Sequence, residues 1–476
     1  MKRLLTIIAL LLVGASSAAA ETIYVSSAEE LRALGKIKAG SEVVWRNGDY
    51  ADEVITITAS GTSKQPVIFR AETAGGVRFT GLSQLRIKGR YVVVKGFWWQ
   101  NPTIEKGVVV AFDKSSSYSQ LEECAITGFE TPMRPQCNVK WVSVWGYRNR
   151  VERCSLLDKR DLGQNLIIRL DEGERAPEAV ISECHFTRPH SMLNEKGNRI
   201  NGQCCLRIGT SKVSLQSAKS VVEGCYFEQC NGEGEIISNK SCDNIFRGNL
   251  FVECEGALTL RHGNNAKVVD NYFLGNGAKL SGGVRIIGEG HLVKGNYFCG
   301  LRGKSYCAIH LMQGQEASPL WGYMQVKRAT IVDNTFVDNY CSISVGGDRN
   351  KLCTLPVVVT TIANNTIIAD ENNYSVIYRG ANHEVKWSNN TIYGGRQVGV
   401  SLSESKSLPK VPNIERKVEQ IRDKVGAKFI KYNKISGCNT LVSTTEWERS
   451  IYPPQSSSRS LAQQRICATN SCLHSR

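Results

Sequence analysis

Hydrophobic positions along most of the chain come in short runs that alternate or are rich in β-branched residues. Examples are Val92–Trp99 (VVVKGFWW), Val142–Gly146 (VSVWG) and Val357–Ile367 (VVVTTIANNTI). Each run is too short for a helix, and Gly, Asn or Asp turn residues follow it, so the pattern predicts strands. Self-comparison adds a recurring phrase: apolar, any, any, Asn or Cys, any, apolar. It carries cysteine at Cys124, Cys154, Cys184 and Cys225, then asparagine at Asn249, Asn271, Asn296, Asn334, Asn365 and Asn390. Several steps between these positions are 22 to 31 residues, and the longer ones imply loop insertions. A fixed phrase at such a period marks a solenoid. Short strands with a stackable Asn at the same turn predict an all-β, right-handed parallel β-helix, in which each Asn bonds its copy about 4.8 Å away along the axis. The four cysteines take the same inward position and are read as small buried hydrophobes with free thiols.

The ends depart from the repeat. Ser26–Leu31 (SSAEEL) has the form of a capping box opening a short amphipathic helix, which would cover the first rung. The alternation fades after about Ser401. Ile414–Phe429 (IERKVEQIRDKVGAKF) then reads as one helix, and Pro453–Arg476 as a poorly ordered Ser-rich tail. The division expected is a leader at 1–20, a β-helix domain at 21–405 and a C-terminal extension at 406–476.

Composition narrows the class. The 476 residues are 41% hydrophobic and 22% charged, which excludes wholesale disorder, and only 12 are proline. Lys plus Arg number 59 against 44 acidic residues, a formal charge of +15 that favours anionic partners. Lys2 and Arg3, the apolar run Leu4–Val13 and Ala18-Ala19-Ala20 read as a secretory signal cut after Ala20, so a secreted or periplasmic protein is expected. No other segment is long and apolar enough to span a bilayer. Export argues against nucleic acid as the partner, and a monomer is expected. The 17 cysteines include no CxxC pair, so zinc-ribbon and thioredoxin readings lack their motif.

Candidate chemistry lies on the outward strand positions. Φ-Arg-Φ recurs at Arg169, Arg207 and Arg285, with Arg261-His262 a near variant. Alternation turns these arginines out while their neighbours fill the core. Arg261 and Arg285 are 24 residues apart, about one coil, so they are expected to stack on one sheet, an arrangement that an anion would relieve. Beside them, Glu233 and Glu235 at i and i+2 share one strand face. A solvated acidic pair and a divalent cation site are both consistent with that spacing, and Asn201 is the candidate third ligand.

Three blocks together resemble the signature of polysaccharide lyase family 6, which holds alginate lyases and the dermatan-sulfate-cleaving chondroitinase B. They are Gly232–Asn249 (GEGEIISNKSCDNIFRGN), Ala257–Gly263 (ALTLRHG) and Gly282–His291 (GGVRIIGEGH). Gly61–Gly81 and Trp141–Cys154 are similar to that family too, so the likeness covers most of residues 21–400. The resemblance implies Lys240 as Brønsted base and Arg261 as the partner near the leaving oxygen. It implies Asn201, Glu233 and Glu235 as calcium ligands, and His262 and Arg285, with Arg207, as substrate contacts. One departure stands out: the acidic substrate-contacting residue of many alginate-cleaving members falls at Cys204.

The expected function is a calcium-dependent lyase that cleaves a polyuronate, alginate before dermatan sulfate, by β-elimination. Calcium on the uronate carboxylate would acidify the C5 proton, and a lysine base is helped into its neutral form by nearby cations. A non-catalytic glycan-binding solenoid is the alternative of another class, and retention of both Lys240 and Arg261 argues against it.

Overall fold

The computed structural model describes residues 21–305, 307–347 and 351–431. The expected leader and the expected Ser-rich tail both lie outside the described residues. Among the described residues, parallel strands stack into three sheets of 14, 14 and 13 strands. Each coil gives one strand to each sheet, and each strand pairs with its counterparts one coil before and one coil after. This is a right-handed parallel β-helix, as the repeat predicts.

The repeat works because every coil places the same kinds of side chain at the same points inside. Leu121, Val151, Ile181, Val222, Phe246, Val268 and Val293 are successive register partners, all buried. On another wall Phe186, Phe227, Phe251, Phe273, Phe298 and Phe336 stack face to face, with successive centroids 4.5 to 4.9 Å apart. Ring spacing therefore follows strand spacing.

At one corner the asparagines form a hydrogen-bond relay. Asn249 Nδ2 donates to Asn271 Oδ1 at 2.9 Å, Asn271 to Asn296 at 2.9 Å, and Asn296 to Asn334 at 2.9 Å. Asn334 donates on to Asn365 at 3.0 Å and Asn365 to Asn390 at 2.9 Å. Each Nδ2 also reaches a backbone carbonyl of the preceding coil, and each Oδ1 takes the backbone N–H of the ladder residue before it. Buried turn amides are thus satisfied rung by rung. The cysteines continue the column: Cys225 N donates to Asn249 Oδ1 at 3.0 Å, and the thiols of Cys154, Cys184 and Cys225 each donate to a carbonyl one coil back. The cysteines of this column, Cys124, Cys154, Cys184 and Cys225, are free thiols. Burial pushes the thiols of Cys124, Cys154 and Cys184 well above the usual range, which suits inert packing.

The first rung is covered by a helix, and the C-terminal segment packs back against earlier coils. Ser27 caps the helix Ala28–Ala33 by accepting from Glu30 N at 3.1 Å, while Glu30 Oε2 takes Ser26 N at 2.7 Å. Ala28 and Leu31 face the first rung. The C-terminal helix is shorter than its sequence pattern: it spans Glu415–Lys424 and not Ile414–Phe429. Val425 is extended and Gly426 takes φ +76°, where glycine alone is unstrained. Gly426 N then donates to Glu183 O at 2.9 Å and Ala427 N to Ser155 Oγ at 2.9 Å. Contacts with the coils replace the next helical turn. Coils and helix belong to one compact unit ending at Lys431.

Two outcomes check this account. Asn296→Ala leaves Asn271 N without its acceptor and is expected to cost about 2–3 kcal/mol in urea unfolding, while Asn390→Ala, at the part-buried end, costs less. Equal losses would show that the relay does not hold the coils. Thiol titration of denatured, unreduced protein is expected to recover the ladder cysteines as free thiols, with almost none reactive before denaturation.

Candidate active site

Most candidate residues gather on one sheet, on the strands Leu206–Gly209, Glu235–Lys240, Gly256–His262 and Ser281–Ile286, with Asn201 and Glu233 in the bends that precede two of them. Register shifts here. Asn239 pairs with Leu260 while Lys240 pairs with His262, so Arg261 is the extra residue of a bulge facing Lys240. Further shifts lie at Glu235/Ile237 and at Gly256/Leu258. Bulges re-aim side chains, and this one brings Lys240 and Arg261 to the same level on neighbouring strands.

The same shifts overturn the expected stacking of Arg261 on Arg285, because Arg285 pairs with Thr259. The row that exists runs Arg207, Ser238, Thr259, Arg285 and His310. Two hydroxyls therefore separate its arginines, which lowers the repulsion that a direct stack would carry. A second correction concerns Glu233. The strand begins at Glu235, and Glu233 sits in the bend before it, so the two carboxylates are not an i, i+2 strand pair. They nonetheless line one cleft of about 520 Å³ with Asn201, Cys204, Arg207, Lys240, Arg261 and Arg285.

Each carboxylate is held differently. Glu233 is buried, with Oε2 accepting from Gly202 N at 2.8 Å and Oε1 from Cys204 N at 2.8 Å. Burial first, then the charge of Glu235, pushes its carboxyl up, and these backbone donors oppose the shift. Glu235 Oε1 lies 2.7 Å from Arg285 Nη2 and 3.8 Å from Arg261 Nε, and Ser238 Oγ donates to Oε2. The Lys240 side chain makes no hydrogen bond or ion pair with any described residue and is part-exposed in the cleft. Arg207 Nε is buried without a partner.

Arg261 is fixed from outside the sheet. Its Nη1 donates to Gly322 O at 2.7 Å and its Nη2 to Trp321 O at 3.1 Å, and the guanidinium lies 4.4 Å from the centre of the Tyr323 ring. His262, expected on the cleft wall, is buried behind Arg261, with Nδ1 3.3 Å from Arg261 Nη1 and Nε2 3.2 Å from Ser211 Oγ. Burial, then the charges of Arg261 and Lys240, lower its pKa to about 3. The opposite rim is tied by an ion pair between Arg199 and Glu255. Sequence reasoning missed Arg199, Glu255, Ser211, Tyr323 and His310. They come from loops and coils whose partners lie tens of residues away, and no local motif marks them.

Asn201, Glu233 and Glu235 present hard oxygen donors, the set that calcium accepts. A buried carboxylate whose ionisation is made costlier by the Glu235 charge, beside an amide that makes no hydrogen bond to a described residue, fits a divalent cation. No three His, Cys, Asp or Glu side chains form a metal cluster among the described residues. This donor set differs from such a cluster in having two carboxylates and taking its third oxygen from the Asn201 amide.

A sequence profile of the chondroitinase B family matches residues 25–436. No curated protein matches the chain. Among solved structures, the polysaccharide lyase family 6 alginate lyase AlyGC is 29% identical over 86% of this chain and 57% of its own, with a TM-score of 0.76. The chain thus spans under three fifths of the length of AlyGC. A mannuronic-acid-specific family 6 lyase from human gut microbiota is 23% identical over 86% of this chain and 97% of its own, at a TM-score of 0.70. A family 6 alginate lyase in complex with a trisaccharide is 24% identical over 84% and 90%, at 0.68. The last two show the fold.

Burial holds three histidines neutral: His262 at about 3, and His291 and His310 at about 4. Their folded values lie below the unfolded value near 6.5, so the unfolded chain gains protons first as pH falls. Stability from these groups is complete above about pH 6.5 and is lost toward pH 4, at roughly 1.4 kcal/mol per pH unit for each histidine. Urea unfolding at pH 7, 6 and 5 measures it; a flat profile would mean the three rings are protonated in the folded protein.

Proposed function

The chain belongs to the chondroitinase B family, polysaccharide lyase family 6, and we propose that it is a secreted, calcium-dependent lyase that cleaves a polyuronate, alginate first, by β-elimination. The observation that carries this reading is the bulge that sets Lys240 and Arg261 at one level over a cleft edged by Glu233, Glu235 and Asn201. Family membership and the likeness to the alginate lyase AlyGC support it.

The reaction needs a base, a means of quieting a carboxylate and support for a leaving oxygen. Lys240, open in the cleft and without a carboxylate partner, takes the proton from C5 of the uronate. The electron pair left behind becomes the C4–C5 double bond as the C4–O4 bond breaks, and O4 leaves with a proton. Arg261 is held by two carbonyls and a ring, so its guanidinium can donate to O4 as negative charge gathers there without first reorganising. His262, neutral behind it, accepts from Arg261 and adds no competing charge. Asn201, Glu233 and Glu235 would hold calcium, whose chemistry is to neutralise the uronate carboxylate and so acidify C5. Arg285, paired to Glu235, and Arg207 line the cleft where further acidic groups of the chain would lie. The product carries a 4,5-unsaturated uronate at its new non-reducing end.

Dermatan sulfate is the second substrate reading. Cys204, buried at the cleft wall, offers no acidic contact there, and the surrounding arginines suit sulfate as well as carboxylate.

Assaying alginate, dermatan sulfate and pectate for the ultraviolet absorbance of a conjugated enoate tests the reading. Lys240→Ala and Arg261→Ala are each expected to lower turnover by about 10²–10⁴-fold without loss of fold. Chelation should silence the wild type and calcium restore it, whereas Glu233→Gln should stay silent with calcium added. Near-normal turnover in Lys240→Ala would remove the mechanism, and a wild type indifferent to exhaustive chelation would remove the metal.

A further inference from the structure

The sheet that carries the site continues toward the N-terminal coils through the strands Leu206–Gly209, Leu166–Ile168 and Arg134–Val144, in that order. Three cations lie on its outer face: Arg207, Arg169 just past the Leu166–Ile168 strand, and Lys140. Their chain neighbours Leu206, Ile208, Ile168, Leu170, Val139 and Trp141 are all buried, so the three point out of the core. Among the described residues none of the three is ion-paired to a carboxylate. Lys140 Nζ donates to Asn138 Oδ1 at 2.7 Å, Arg169 Nε reaches Ser143 Oγ at 3.4 Å, and Arg207 Nε is buried with no partner. Asp171, the acid that acts on Arg169, is ion-paired to Lys114. Burial first, then the neighbouring cations, depress both Lys140 and Arg169, with Asp171 opposing the shift on Arg169, so the three cations act on one another.

The floor between this group and Lys240 is open. Ile168 pairs with Ile208, and Gly209, the next residue, pairs with Lys240. Arg169, Gly209 and Lys240 therefore fall on one row, with Arg169 and Lys240 two rungs, or roughly 10 Å, apart. Gly209 leaves that row without a side chain: its φ is +74°, and a Cβ there would lie 2.5 Å from Lys240 O. Trp145, whose ring centre is 5.7 Å from the Arg169 guanidinium, borders a second cleft that also includes Gly209.

We propose that Lys140, Arg169 and Arg207 form a second anion subsite, which takes an acidic group of the polysaccharide on the N-terminal-coil side of the reacting sugar. The inference rests on the polyanion-lyase reading and extends it. A carboxylate of a neighbouring uronate and a sulfate of a neighbouring amino sugar are the two sources of that anion. Either would give charge-assisted hydrogen bonds to groups that now have no carboxylate partner among the described residues.

Calorimetry in a Lys240→Ala background keeps the oligosaccharide whole, with an alginate hexasaccharide and a dermatan sulfate hexasaccharide as probes. Arg169→Gln and Lys140→Gln are each expected to raise Kd about tenfold for the hexasaccharide that uses the subsite, while Arg169→Lys keeps most of the affinity. The probe that loses more identifies the anion. Thermal melting of each variant checks the fold, and Lys140→Gln, at a part-exposed side chain, carries the test should Arg169→Gln unfold. Unchanged Kd for both probes, or no binding of either by the parent protein, overturns the subsite. If the wild type yields no unsaturated product but the substitutions weaken binding, the lyase reading falls and the subsite stands. If the wild type cleaves and the substitutions leave Kd unchanged, the subsite falls alone.

Discussion

Everything in this molecule depends on a buried turn that cannot be left unsatisfied. Each coil brings a backbone N–H into the interior at the same corner, where water is absent and an orphan donor is costly. The asparagine side chain answers with an acceptor for one rung and a donor for the next. Such a relay closes only when successive coils superpose, so satisfying one corner sets the register of all three sheets. Register in turn fixes side-chain parity. That is why Val284 and Ile286 are inside while Arg285 meets Glu235 at the cleft.

The fold was legible because this constraint is local. A phrase of six residues carries both the relay and its apolar flanks, and its recurrence reports the period directly. Lys240, Arg261, Glu233 and Glu235 were legible as a set because they lie in short blocks, with Asn201 a third-ligand candidate outside them, and the structure brings all five to one cleft. What sequence could not supply was their geometry. Counting 24 residues from Arg261 to Arg285 assumes a regular ladder, and shifted pairings beside Glu235, Lys240 and Gly256 break that count. Alternation likewise placed Glu233 on a strand that starts two residues later. His262 was placed among the substrate contacts by resemblance alone, and it is buried behind Arg261, as strand alternation about Arg261 would have it. The helix pattern beyond Lys424 was overridden by backbone bonds to Glu183 and Ser155, more than 200 residues away in the chain.

Charge in the cleft follows a division of labour. Glu235 is met by two arginines, Glu233 by two backbone amides, and Lys240 by neither. Neutralising the acids with fixed donors leaves the lysine chemically unclaimed in a field that draws in anions. The neutral histidines beneath serve the same end: His262 accepts from Arg261 and His310 donates to the Gly346 carbonyl, and neither adds positive charge to an already basic face.

The relay and the cleft rims occupy different corners of the coil, and that separation bears on how such a scaffold changes over generations. The segments that reach over the cleft, through Arg199 on one rim and through Trp321 and Gly322 on the other, are insertions between strands whose pairing they do not touch. Closing a longer loop costs only about 0.6 kcal/mol for each doubling of its length. Rims can therefore be lengthened, trimmed or exchanged while the internal ladder is inherited unchanged. In a scaffold built this way, what is gripped and what holds the grip in place are free to evolve at different speeds.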